Sequence, residues 1–163
     1  MSEQAAVEIV TNGPAATQAV GAALANVLNG GQVIALHGDL GAGKTTFVQG
    51  LARGLGVTGR VSSPTFVLVN QYTAARGLRL VHIDTYRLGA ALDEAEAIGL
   101  EELLDDPTAI VAIEWAERVA ALLPPDHLLL NLRYSPTPDT RVLRLTASGP
   151  QSAAALRALH RHE

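Results

Sequence analysis

The sequence predicts an α/β fold, a single domain in which a mixed β-sheet is flanked by helices, and three observations carry that prediction. First, an apolar, β-branched run at 32–37 leads through a glycine-rich segment into a helical pattern that runs to Leu55, the order strand, loop, helix. Second, two further apolar runs, 78–84 and 109–114, each end in a carboxylate, Asp84 and Glu114. Third, 163 residues that are 48% hydrophobic and 17% charged fit one domain able to bury an ordinary core without disulfides or a structural metal. The chain has no cysteine, which excludes disulfides, thiolate nucleophiles and cysteine-ligated zinc. It also fits a reducing compartment, with the cytoplasm as the expectation.

Residues 38–45, Gly38-Asp39-Leu40-Gly41-Ala42-Gly43-Lys44-Thr45, spell G-x-x-x-x-G-K-[ST] in full. Preceded by a strand and followed by a helix, this is a phosphate-binding loop, and the predicted fold is therefore P-loop NTPase-like. Glycines let backbone N–H groups turn inward around phosphate oxygens where a Cβ would clash. The helix that begins at Lys44 points the positive end of its dipole at the same place. Lys44 is then expected to bridge the β- and γ-phosphates and the Thr45 hydroxyl to bind Mg²⁺. Lys44 is the only lysine, all eleven other cationic side chains being arginine. A compact ammonium fits between phosphates inside a tight loop, and a planar guanidinium does not.

Before the loop, residues 5–11 read as a strand, Asn12-Gly13-Pro14 as a turn, and about 15–28 as an alanine-rich helix ended by Asn29-Gly30-Gly31. After the P-loop helix, Gly54, Gly56 and Gly59 break regularity. The polar segment 60–66 then leads into an alternating strand, Val67 to Tyr72. Thr65 in that segment reads either as a switch hydroxyl that reaches the γ-phosphate and Mg²⁺ or as a plain turn threonine. Residues 66–84 make a β-hairpin with the five-residue loop Thr73 to Gly77.

Asp84 and Glu114, each at the tip of an apolar strand, can share one site, one holding the metal and the other orienting water or substrate. Trp115, the only tryptophan, and Glu117 follow directly, and His82 is the only histidine placed near the site. Between the two strands, Leu88 to Asp106 is an acidic, helix-prone insertion, read as a solvated face or as a docking surface for a basic partner. The remainder offers a helix at 116–123, a Pro124-Pro125 break, strands at 127–134 and 141–147, and a helix from about 151. Met1-Ser2-Glu3-Gln4 has no basic stretch leading into an apolar core, and no apolar run approaches a membrane span, so neither secretion nor membrane insertion is expected. At a net charge of -4 the domain is a poor nucleic-acid binder on its own, and no DNA partner is expected.

Four blocks together resemble the TsaE family, also called YjeE, small bacterial ATPases of tRNA threonylcarbamoyladenosine (t6A) biosynthesis. They are GDLGAGKTT at 38–46, SPTFVLVNQY at 63–72, HIDTYRL at 82–88 and EWAE at 114–117. The resemblance spans about 8–134, and one position departs from it, Gln71 standing where glutamate is common. What it implies is ATP/ADP and Mg²⁺ as cofactors. Asp39, Leu40, Gly41, Ala42, Gly43, Lys44, Thr45, Thr46 and Trp115 would bind the nucleotide, and Thr45 and Asp84 the metal. Lys44, Thr65 and Glu114 would form the catalytic set. It further implies an ATPase, slow alone, that acts on a complex of TsaB and TsaD, with TsaD transferring the threonylcarbamoyl group to tRNA adenosine 37. Contact with tRNA would be indirect.

Two other classes compete. A small-molecule kinase needs a basic lid, but 88–106 has no lysine or arginine. A nucleotide-gated binding module would use occupancy alone, and the sequence does not separate it from a coupled ATPase. The lack of a second lysine for the guanine-reading N-K-x-D motif weighs against a GTPase.

Overall fold

The structure, a computed structural model, describes residues 5–39, 41–62, 69–85 and 99–161. Among these the chain order is β1 (Ala6–Asn12), α1 (Pro14–Ala25), β2 (Val33–Gly38), α2 (Lys44–Gly54), β3 (Val69–Thr73) and β4 (Arg79–Asp84). There follow α3 (Leu100–Leu104), β5 (Ala109–Glu114), a 3₁₀ helix (Ala116–Leu122), β6 (Leu128–Tyr134), β7 (Thr140–Ala147) and α4 (Pro150–Arg161).

The strands form one mixed sheet in the order β1-β7-β6-β2-β5-β4-β3. β2 is central and parallel to both neighbours, β5 and β6, and β5 is parallel to β4. β2 and β5, covered on both faces, are unbroken apolar runs such as AIVAIE, the pattern of parallel strands inside an α/β domain. The hairpin β3-β4 pairs Val69 with Ile83 through Thr73 with Arg79, as expected from its alternation. After β2 the chain moves to one side of it, to β4 and β5, and after β5 it moves to the other, to β6 and β7. The carboxyl end of β2 is therefore a topological switch point, the place where open α/β sheets bind ligands.

One face of the sheet packs against α1, α2 and α4 through Leu24, Phe47, Leu51, Leu130, Leu143 and Leu156. The other face is covered over β2, β5 and β4 by Leu100, Leu104, Ala116 and Val119. α1 and α2 approach so closely that a Cβ on Gly21 would lie 2.4 Å from Phe47 O and one on Gly50 2.0 Å from Gln18 O.

Two elements differ from the sequence reading. α1 stops at Ala25 rather than about Leu28, with the Asn26 N–H bonded back to Ala23 O and Leu24 O. Residues 116–122 form a 3₁₀ helix with non-helical dihedrals at Val119, preceded by Trp115 in a left-handed conformation. The acidic insertion is described only from Gly99, where Glu101 and Glu102 are exposed on α3.

α4 takes its N-terminal cap from outside the helix. Asp126 accepts the N–H groups of Gln151 at 2.7 Å and Ser152 at 3.0 Å, and the Ser152 hydroxyl at 2.6 Å. Burial pushes the Asp126 carboxyl up, but these bonds hold it below the ordinary 3.8. A depressed folded-state value means that the stabilisation is present above the ordinary aspartate range and is lost as pH falls through the folded value. Asp126→Ala is expected to cost about 1–2 kcal/mol at neutral pH. In urea unfolding the gap to the parent should narrow below about pH 4.

Candidate nucleotide site

The P-loop joins β2 to α2. Gly41 (φ 81°) and Gly43 (φ 111°) adopt the left-handed conformations that turn the chain back on itself. Gly43 is the N-cap of α2, with its carbonyl accepting from Phe47 N–H at 2.9 Å. Ala42 is fully buried, while Asp39 and Gly41 are exposed at the rim. Lys44 folds over the loop and donates from Nζ to Gly38 O at 2.5 Å and to Asp39 O at 3.1 Å. Its ammonium sits 4.1 Å from the centroid of the Trp115 ring, a cation–π contact. Burial lowers the Lys44 pKa from 10.5, and the charges of Glu114, Glu117, Asp84 and Asp39 oppose that shift.

Thr45 and Glu114, far apart in sequence, meet here. The Thr45 hydroxyl lies 3.1 Å from Glu114 Oε1 and 3.0 Å from Oε2. Glu114, only 4% exposed, closes β5 directly opposite Asp84 at the end of β4. Hydroxyl and carboxylate oxygens are hard donors suited to Mg²⁺, and the glycine loop with its lysine suits phosphate. The residues present therefore fit a magnesium nucleotide.

Trp115, in the left-handed region at φ 58°, is a bulky residue where few occur. Thr85, fully buried, holds the turn: its hydroxyl donates to Glu114 O at 3.0 Å and Trp115 O at 2.6 Å. Beside this turn a cleft of about 470 Å³ is lined by His37, Asp39, Trp115, Glu117, Asn131 and Tyr134 among others. His37 Nε2 lies 3.5 Å from Glu117 Oε2. Across the P-loop, a smaller cleft of about 100 Å³ reaches from Thr46 and Gly43 to Thr17 and Asp139.

The structure thus brings Lys44, Thr45, Asp84, Glu114 and Trp115 together at the carboxyl ends of the parallel strands, with Asp39, Gly41, Ala42, Gly43 and Thr46 in the loop and the first turn of α2. Leu40 and Thr65 lie outside the described residues. Sequence reasoning missed Thr85 as the clamp of the Trp115 turn and left His82 without a partner. Both stand in the HIDTYRL block, but their contacts are to β5 and its following turn, which no local pattern reveals.

Among the described residues no helix is long and apolar enough to cross a membrane. Residues 11–142 match the family described as "Threonylcarbamoyl adenosine biosynthesis protein TsaE". A Bacillus subtilis (strain 168) protein named "tRNA threonylcarbamoyladenosine biosynthesis protein TsaE" is 37% identical over 153 residues, covering 94% of this chain and 93% of the relative. One of the same name from Streptomyces coelicolor is 43% identical over 114 residues, 69% of this chain and 76% of that one. The crystal structure of Bacillus subtilis YdiB superposes with a TM-score of 0.84 at 30% identity, covering 99% of both chains. Matched by the family model over 11–142 and 37% identical to a relative along nearly the whole of both chains, the chain belongs to the TsaE family.

Proposed function

We propose that this chain is a Mg²⁺-dependent ATPase of tRNA t6A biosynthesis that acts in the cytoplasm on a TsaB–TsaD complex to drive or reset its cycle. The observation that carries the reading is the meeting of the Thr45 hydroxyl with the Glu114 carboxylate beside Lys44 and Asp84. Phosphoryl transfer asks a protein mainly for positioning and electrostatic stabilisation, and this cluster supplies both. Lys44 binds phosphate oxygens, the loop amides and the dipole of α2 add to it, and Thr45 with Asp84 would hold Mg²⁺. That ion, when bound, neutralises charge on the β- and γ-phosphates. Glu114 accepts hydrogen bonds at the edge of that position and orients the attacking water. At a net charge of -4 the chain leaves the tRNA to its partners. The family's role in t6A biosynthesis, carried by the names of its relatives, supplies the pathway.

The test is Mg²⁺-dependent ATP hydrolysis by the purified chain, alone and with TsaB and TsaD from the same source. Stimulation by the partners supports the coupled ATPase. Bound ATP with no stimulation, and phosphate appearing on a small molecule from a metabolite mixture, would put the kinase reading first. Asp84→Ala is expected to lower Mg²⁺-dependent turnover by roughly 10–100-fold, the scale of losing a metal-site group, while nucleotide affinity changes by only a few-fold. Unchanged turnover would move the metal role to Glu114.

A further inference from the structure

His82 lies on β4 two residues before Asp84, and none of its surface is exposed. Its Nε2 sits 2.5 Å from Glu114 Oε2, the carboxylate that also accepts the Thr45 hydroxyl. The parallel pairing explains how it gets there. His82 is in register with Ala112, and Asp84 with Glu114. Residues two apart on a strand share a face, so all four lie on the same side of the sheet. The alanine methyl opposite His82 leaves room for the ring to lean along the strand to the next carboxylate.

The ring has a direction as well as a place. A carboxylate only accepts hydrogen bonds, so the hydrogen of this contact belongs to Nε2. Among the described residues Nδ1 has no hydrogen-bond partner, and a proton there would be a buried donor without an acceptor.

We propose that His82 is a positioning residue of the nucleotide site, whose Nε2–H fixes the Glu114 carboxylate so that its free acceptor capacity is presented to Thr45 and to the water or metal shell beside it. The proposal rests on the ATPase reading above. Without the histidine, Glu114 keeps its place in β5, but among the described residues only the Thr45 hydroxyl still holds its carboxylate. A group left loose in that way costs turnover more than binding.

The experiment compares His82→Gln, His82→Asn and His82→Leu in the full chain with TsaB and TsaD, measuring kcat and KM for Mg-ATP and nucleotide Kd from Trp115 fluorescence. A glutamine amide nitrogen reaches the position of Nε2, whereas that of asparagine corresponds to Nδ1 and falls short. His82→Gln is expected to hold kcat within a few-fold of the parent, and the other two to lose roughly 10–100-fold, the range seen when a partner that orients a site ligand is removed. Kd should stay within about two-fold in all three. Equal kcat in His82→Leu and the parent, or equal losses in His82→Gln and His82→Asn, overturns the proposal. Nitrogen-15 NMR of the histidine rings gives a readout without turnover: His82 should be the Nε2–H tautomer, with its ring signals shifted in Glu114→Gln. An Nδ1–H tautomer also overturns it. A parent chain that binds no Mg-ATP defeats the proposed function and this role with it, a result distinct from an active parent indifferent to His82.

Discussion

Lys44→Ala is expected to weaken ATP and ADP binding by about 100-fold or more, the scale of losing a charge-assisted contact worth roughly 3 kcal/mol. The fold should survive. Lys44 is 5% exposed, yet among the described residues its ammonium bonds only to the carbonyls of Gly38 and Asp39 in its own loop and lies over Trp115. Removing it leaves those carbonyls at the rim, where water can reach them, and takes away a cation that faces four carboxylates, Glu114, Glu117, Asp84 and Asp39. Trp115 is the only tryptophan and faces Lys44, so its fluorescence reports the parent's nucleotide titration directly. Calorimetric titration should follow the variant, since losing the cation also changes the ring's surroundings. Retained affinity, with unchanged far-ultraviolet circular dichroism, would remove Lys44 from the phosphate site.

Gly50→Ala carries the largest expected effect on stability. In an exposed helix the substitution would stabilise by about 1 kcal/mol through helix propensity. Here the new Cβ would lie 2.0 Å from Gln18 O and 2.5 Å from Gln18 Cα. The obstruction is backbone of α1, not the end of a flexible side chain, so the two helices must move apart. Overpacking of this kind costs typically 1–3 kcal/mol and occasionally more, and a clash with helix backbone belongs at the upper end. The net expectation is a loss of about 3 kcal/mol, or roughly 6–12 °C in Tm for a domain of this size. Thermal unfolding followed by circular dichroism checks it. A midpoint equal to or above the parent would mean that α1 and α2 do not pack at this glycine. Because α2 starts in the P-loop, the same variant should also bind nucleotide more weakly, although Gly50 is far along the helix from the loop.

The elements that were legible in the sequence are those whose cause is local. The strand 33–38, the loop from Gly38 and the helix from Lys44 follow from an apolar run, from glycines at left-handed positions and from the need to end one element and start another within a few residues. The hairpin of β3 and β4 follows from alternation around a short loop. The end of α1 and the 3₁₀ character of 116–122 were not legible. The first depends on where the chain must turn to enter β2; the left-handed turn at Trp115 that precedes the second is held by Thr85, which follows β4.

The sequence alone determined that this chain carries the G-x-x-x-x-G-K-[ST] pattern between a strand and a helix, that Lys44 and Thr45 stand at the start of that helix, and that two apolar strands end in Asp84 and Glu114. Each of these is a matter of residue type and short spacing. Which carboxylate faces Thr45, and which group holds that carboxylate, only the tertiary structure decided. Thr45 and Glu114 are 69 residues apart and His82 and Glu114 are 32 apart, and their meeting depends on the parallel register of β2, β5 and β4. A slip of β5 by one residue would turn Glu114 to the opposite face, away from both His82 and Thr45. It is fixed by the burial of whole strands, not by any residue in the site.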